Sequence, residues 1–172
     1  MNKQRLTVCH ADIERFNVAT RNLSLDELVD FLQGYYELAG DVLLAHNGRM
    51  VRYMGDAVLA LFDPGKEEIA CRAMWALSQA YDHYIEDRGS DAKVSRLAVG
   101  IATGEVVVGQ FGHPQMLAYD VLGRTVTVAS ALLNCSGIVM DAATHDVVED
   151  RINSEIVGSN ADLRGFRLTG LR

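Results

Sequence analysis

Apolar positions along the chain switch between a period of two and a period near 3.6, and each switch marks an element. Residues 6–12, LTVCHAD, alternate loosely and contain β-formers, which predicts a short strand. Ser24 reads as a helix N-cap, with Glu27 three residues later completing a capping box. Leu25, Leu28, Val29, Leu32, Tyr36, Ala39, Val42 and Leu43 then keep helical spacing, and that helix is expected to end near Asn47-Gly48. Two strands follow, at about 49–53 and 57–62, separated by MGD, and Pro64-Gly65 makes a turn. A second helix carries Ile69, Ala73, Leu77, Ala80 and Tyr84 on one face and is expected to end by Gly89.

Further on, RLAVGIATG and EVVVGQFG read as two strands joined at Gly104-Glu105, and HPQMLAYDVLG as an irregular segment. TVTVASALLNC reads as a helix despite its β-branched start. Ile138 to Met140 reads as a short strand, AATHDVVEDRI as a short helix, and the tail as a strand, a polar turn and a strand. The order β-α-β-β-α-β-β followed by α-β-α-β-β predicts an α+β fold, an antiparallel-rich sheet with helices on one face. No repeat, low-complexity segment or linker interrupts it, so all 172 residues are expected to form a single domain.

Composition narrows the class. Hydrophobic residues make up 49% and charged residues 23%, ordinary for a globular chain with a substantial core. No run reaches the roughly 18 apolar residues of a membrane span, and the start has no apolar stretch of signal-peptide type. The net charge of −7 comes without a basic stripe, which argues against a nucleic-acid partner. A phosphate-bearing small molecule stays open, because a bound metal can supply positive charge. Cys9, Cys71 and Cys135 are odd in number and form no CxxC pair, which fits reduced core residues and a cytoplasmic setting.

One stretch does not fit a plain strand. RYMGDAVLALF, residues 52–62, places Asp56 among apolar β-formers. Asp12 ends the first strand, before the loop IERFN. In a βαβ-type arrangement the two strands can be neighbours, which brings both carboxylates to one edge. Two carboxylates at one point repel unless a proton or cation intervenes, and a hard divalent cation such as Mg²⁺ takes oxygen ligands and shares itself with phosphates. The alternative is that each aspartate is merely solvated, Asp56 in a hairpin and Asp12 ahead of a helix.

HADIERFN, GRMVRYMGDAVLALF, VGIATGEVVVGQFG and YDVLGRTVTVASAL, in this order, resemble the successive motifs of class III nucleotide cyclases, the adenylate and guanylate cyclase catalytic domain. The resemblance spans about residues 6–171 and implies a ferredoxin-like α+β domain. It also implies that Asp12, Asp56 and the backbone carbonyl of Ile13 hold two ions, Mg²⁺ or Mn²⁺. These serve an in-line attack of the ribose 3′-hydroxyl of a nucleoside triphosphate on its α-phosphate, with pyrophosphate leaving. The adenylate branch of the family reads its purine with a Lys and an Asp. Here the Lys position holds Arg52, whose planar guanidinium differs in reach, and the Asp position holds Asp120. A carboxylate accepts from an exocyclic amine, which favours adenine, ATP foremost, over guanine. Taken without the family, Arg52 and Asp120 read as a plain ion pair.

Two departures fall downstream. Where the family's helix carries an Asn that orients the ribose and, four residues on, an Arg that stabilises the transition state, this chain has Thr127 and Ala131. A missing phosphate-contacting Arg costs orders of magnitude in rate. Arg124 shares the same helical stripe and could compensate, although it lies about 10 Å along the axis from Ala131. The resemblance further implies a homodimer with composite sites, in which Asp12 and Asp56 of one protomer face Arg52, Asp120, Thr127 and Ala131 of the other. The tail RGFRLTGLR stops where the family's last strand would continue, which points to a domain cut from a longer protein.

Other features read as structural. His10, His46, His83, His113 and His145 show no zinc spacing, and strand alternation turns His10 to the face opposite Cys9 and Ala11. AMWALSQAYDHYI reads as packing, and Gly104, Gly109 and Gly112 form no phosphate loop. Two classes of function therefore stand side by side: a cyclase, possessing both metal aspartates and Asp120, and a degenerate pseudo-cyclase that binds nucleotide or metal, or dimerises, as a regulatory module. A cyclase-fold protein with another phosphate chemistry is the remaining reading.

Overall fold

The sheet is organised about β1 (Asn2–Glu14), which is paired along both edges. The computed structural model describes residues 2–88, 95–160 and 163–172. β1 runs antiparallel to β3 (Ala57–Phe62) on one side and to β4 (Arg96–His113) on the other. β2 (Arg49–Met54) closes the hairpin with β3. Beyond β4 lie β6 (Ile138–Met140), parallel to it, then β8 (Leu163–Leu171) and the edge strand β7 (Ile152–Asn160). β5 (Met116–Leu122) folds back on the far half of β4. The expected α+β class and ferredoxin-like, antiparallel-rich sheet are therefore present.

The helices are α1 (Phe16–Thr20), α2 (Leu25–Ala45), α3 (Glu67–Glu86), α4 (Arg124–Leu132) and α5 (Ala142–Val148). The capping box is formed: the Ser24 side chain accepts from the Glu27 amide, and the Glu27 carboxylate accepts from the Ser24 amide. α3 is complete at Glu86, and Gly89, expected near its end, lies outside the described residues. The same holds for 161–162 in the expected polar turn of the tail. Among the described residues no helix is long and apolar enough to cross a membrane.

Four expectations need correction. First, the helices cover both faces of the sheet. Cys9, Ala11 and Ile13 of β1 pack with Phe31, Tyr35, Ala39 and Leu43 of α2 and with Leu77 and Tyr81 of α3. Leu6 and Val8, alternating to the other side, pack with Leu59, Leu61, Ala102 and Ala129 beneath α4. Second, Gly104-Glu105 is no turn: Leu6 pairs with Gly104 and Arg5 with Glu105, so β4 runs straight through 18 residues. Third, 116–122, expected to be irregular, is a strand, because β4 is long enough to template it from Val107 to His113. Fourth, Leu25 and Val29 are exposed, since α2 turns the line of Phe31, Tyr35, Ala39 and Leu43 to the core.

Gly100 and Gly104 serve the approach of α4. A Cβ on Gly100 would lie 1.8 Å from the Ala129 carbonyl oxygen, and one on Gly104 would lie 2.6 Å from Thr125 Oγ1. That close seating lets Thr125 Oγ1 donate to the Glu105 carbonyl at 3.0 Å. Because the obstacle at Gly100 is backbone, Gly100→Ala is expected to destabilise the domain by about 1–3 kcal/mol, the range typical of overpacking. Urea denaturation measures this. An unchanged midpoint would mean that α4 does not sit this close to β4.

Candidate active site

The β1–β3 ladder ends where Asp12 pairs with Ala57. Asp56, the residue before β3, is therefore delivered to the end of β1, beside Asp12. The chain can reverse there because Gly55 takes a positive φ of 64°. The two carboxylates meet: burial, then the Asp56 charge and a side-chain hydrogen bond with Asp56, raise the Asp12 carboxyl from 3.8 to about 6. Ile13 lies one residue past the last β1–β3 pair, and its side chain is buried in the core.

This donor set fits a hard divalent cation. Two close carboxylates, one of them reluctant to ionise, are relieved by positive charge. Among the described residues no group of three or more His, Cys, Asp or Glu gathers. A cation here would take the two aspartates and fill its shell from backbone carbonyl, water and phosphate, the habit of Mg²⁺.

The second element of the site is an ion pair. Arg52 and Asp120 bond directly within one chain, Asp120 from β5 and Arg52 from β2. The Asp120 side chain is the shielded partner, 15% exposed against 41% for Arg52. Its other oxygen accepts from the Val121 amide at 2.8 Å. No hydrogen bond or ion pair among the described residues joins this pair to Asp12 or Asp56.

α4 supplies the third element. Thr125, Ala129 and Leu132 are its buried residues, while Arg124, Thr127 and Ala131 are exposed on the outer side. Arg124, two turns from Ala131, makes no ion pair among the described residues. The outer stripe thus offers a hydroxyl and a methyl, with a guanidinium only at the helix start.

His10 is the residue to which sequence reasoning gives no role. It stands two positions before Asp12 on the α4 side of β1, and its Nδ1 lies 2.8 Å from Ser130 Oγ, next to Ala131. Burial, then the Arg52 charge, hold its imidazole below the usual range. Its Nε2 is buried and has no hydrogen-bond partner among the described residues. Its parity with Asp12 was the available signal.

The family model of the adenylate and guanylate cyclase catalytic domain matches residues 1–160, and the chain belongs to that family. Adenylate cyclase 1 of Rhizobium meliloti (strain 1021) is 33% identical over 136 residues, which cover 76% of this chain and 20% of that protein. The chain thus spans about a fifth of that relative's length. The adenylyl cyclase CyaB from P. aeruginosa has the same fold, with a TM-score of 0.87 at 22% identity over 99% of this chain and 96% of that one. So has the guanylate cyclase domain of RhGC from Catenaria anguillulae in complex with GTP, at 0.85 and 16% identity over 100% of both chains.

The raised Asp12 carboxyl sets a pH dependence. As pH climbs, the unfolded chain releases this proton first, while the native carboxyl holds it until about 6. The native state therefore loses stability as pH rises from 3.8 to about 6. In chelator, Asp12→Asn is expected to melt higher than the unsubstituted chain at about pH 7.5, with the gap closing near about pH 4. Thermal melts across pH check this, and a gap that widens on acidification would refute it.

Proposed function

We propose that this domain is a slow class III nucleotide cyclase. It converts a nucleoside triphosphate, ATP foremost, to the 3′,5′-cyclic nucleotide and pyrophosphate. The observation that carries the reading is the Asp12–Asp56 pair at the end of the β1–β3 ladder. Asp12, Asp56 and the Ile13 carbonyl would hold Mg²⁺ or Mn²⁺, two ions per site. When bound, such ions acidify the attacking hydroxyl and offset charge on the triphosphate. Asp120 accepts from an exocyclic amine of the base, and Arg52, already on Asp120, donates to a ring nitrogen. Asp120 keeps one oxygen on the Val121 amide, which fixes its plane for that task.

Thr127 and Ala131 offer the phosphates no cation, so turnover is slow. Arg124 compensates only in part, from two turns away. The same two positions favour the second reading, a degenerate cyclase acting as a nucleotide-binding or dimerising module.

A second copy completes the site. Met116, Leu117, Tyr119 and Leu122 of β5 are 40–78% exposed, an apolar arm that a monomer would leave in water. In a homodimer, Asp12 and Asp56 of one protomer would face Arg52, Asp120, Thr127 and Ala131 of the other. The domain would serve a longer, cytoplasmic signalling protein.

Purified protein incubated with Mn²⁺ or Mg²⁺ and each of ATP, GTP, CTP and UTP, with products resolved by chromatography, tests this. Cyclic AMP is expected to dominate, and Asp56→Ala is expected to abolish it. Nucleotide binding without any cyclic product would sink the enzyme reading and leave the degenerate module.

Restoring the family's pair with Thr127→Asn and Ala131→Arg is expected to raise the rate about 100-fold or more, given what a transition-state Arg contributes in phosphoryl transfer. A rate left unchanged in the double variant would show that this helix face does not meet the phosphates.

A further inference from the structure

The turn that carries Asp56 has little to hold it. Met54 and Ala57 form the last β2–β3 pair, so Gly55 and Asp56 project beyond the ladder. Among the described residues, nothing beyond its chain neighbours lies within 4 Å of where a Cβ on Gly55 would stand. From outside the sheet Tyr36, on α2, donates its hydroxyl to the Gly55 carbonyl.

That tyrosine is itself fixed. Its ring stacks on Tyr53 of β2 at a centroid distance of 4.2 Å and an interplanar angle of 30°. Tyr53 returns the bond, its hydroxyl donating to the Tyr36 carbonyl at 3.1 Å. Each phenol therefore bonds the backbone of the other's hairpin or helix, and the two rings lock the pair between. Burial, then the Asp56 charge, push the Tyr36 phenol up, so it stays a donor at neutral pH.

We propose that Tyr36 is a positioning residue for Asp56: steadied by Tyr53, it ties the Gly55-Asp56 turn to α2 and so sets how tightly the Asp12–Asp56 pair holds a divalent cation. The proposal rests on reading Asp12 and Asp56 as metal ligands. A bond to the carbonyl of the residue before a ligand fixes the direction in which that ligand's carboxylate leaves the chain. Outer partners of this kind alter metal affinity because they orient the ligands.

Tyr36→Phe keeps the stacked ring and removes only the tie. Mn²⁺ binding is measured by calorimetry on the full chain without nucleotide, alongside the melting temperature. Tyr36→Phe is expected to bind Mn²⁺ about tenfold more weakly, the lower end for lost outer-shell partners, with a melting temperature near that of the unsubstituted chain. In the cyclase assay the Mn²⁺ concentration for half-maximal rate should rise by a similar factor, while the rate at saturating Mn²⁺ recovers. A merely structural tyrosine would lower the melting temperature and leave Mn²⁺ affinity alone, and that result overturns the proposal. If Tyr36→Phe does not fold, Tyr53→Phe carries the test: unchanged Mn²⁺ affinity there refutes the clamp. Asp56→Ala separates the two levels. If it binds Mn²⁺ as tightly as the unsubstituted chain, the metal reading itself fails. If it loses Mn²⁺ while Tyr36→Phe does not, only the positioning role fails.

Discussion

Everything at the candidate site depends on the register of β1 between β3 and β4. Asp12 stands opposite Ala57 on one side and Ala98 on the other. Side chains along a strand alternate, so a slip of one residue would exchange the faces. Cys9, Ala11 and Ile13 would leave the α2–α3 core, and Asp12 would enter it. Both faces of β1 are buried, so this register is held from two sides, by the packing under α2 and α3 and by the packing under α4. The buried hydroxyl chain Thr7–Thr103–Thr144, with 2.9 Å steps, pins the same register across β1, β4 and α5.

That rigidity explains where the acid pair can be tolerated. Like charges brought together oppose folding. Here Asp12 sits in the last β1–β3 pair and Asp56 one residue beyond it, so only one of the two carboxylates is carried by a paired strand and the other by a turn. The core below is apolar and closely filled, while the turn is tied to α2 by Tyr36. The chain folds with its carboxylates in conflict, and a cation or proton has most to offer at that point.

How much of this could be read from the residues follows from how local each signal is. The Ser24–Glu27 box spans four residues and carries its own hydrogen bonds, so it was legible. Asp56 stood out because an acid among β-formers breaks a short pattern, and the adjacency of its strand to the first one supplied its partner Asp12. Gly104 misled, because a strand glycine suggests a turn when its real cause, the Thr125 hydroxyl against it, is 21 residues away. β5 was hidden for a related reason: its residues are mostly exposed and do not alternate, and its strand character comes from β4. The His10–Ser130 contact and the Tyr36–Gly55 tie join residues that no spacing rule connects.

The exposed positions Thr127 and Ala131 acquire a different meaning once α4 is seen seated. Side-chain contacts that seat this helix lie on its inner side, Ala129 over Gly100, Thr125 against Gly104 and Glu105, and Ser130 on His10 among them. None of them involves the outer stripe. Asparagine and arginine could therefore be exchanged for threonine and alanine without altering the platform that would present them. A substitution on this outer stripe is thus separable from the packing that seats α4.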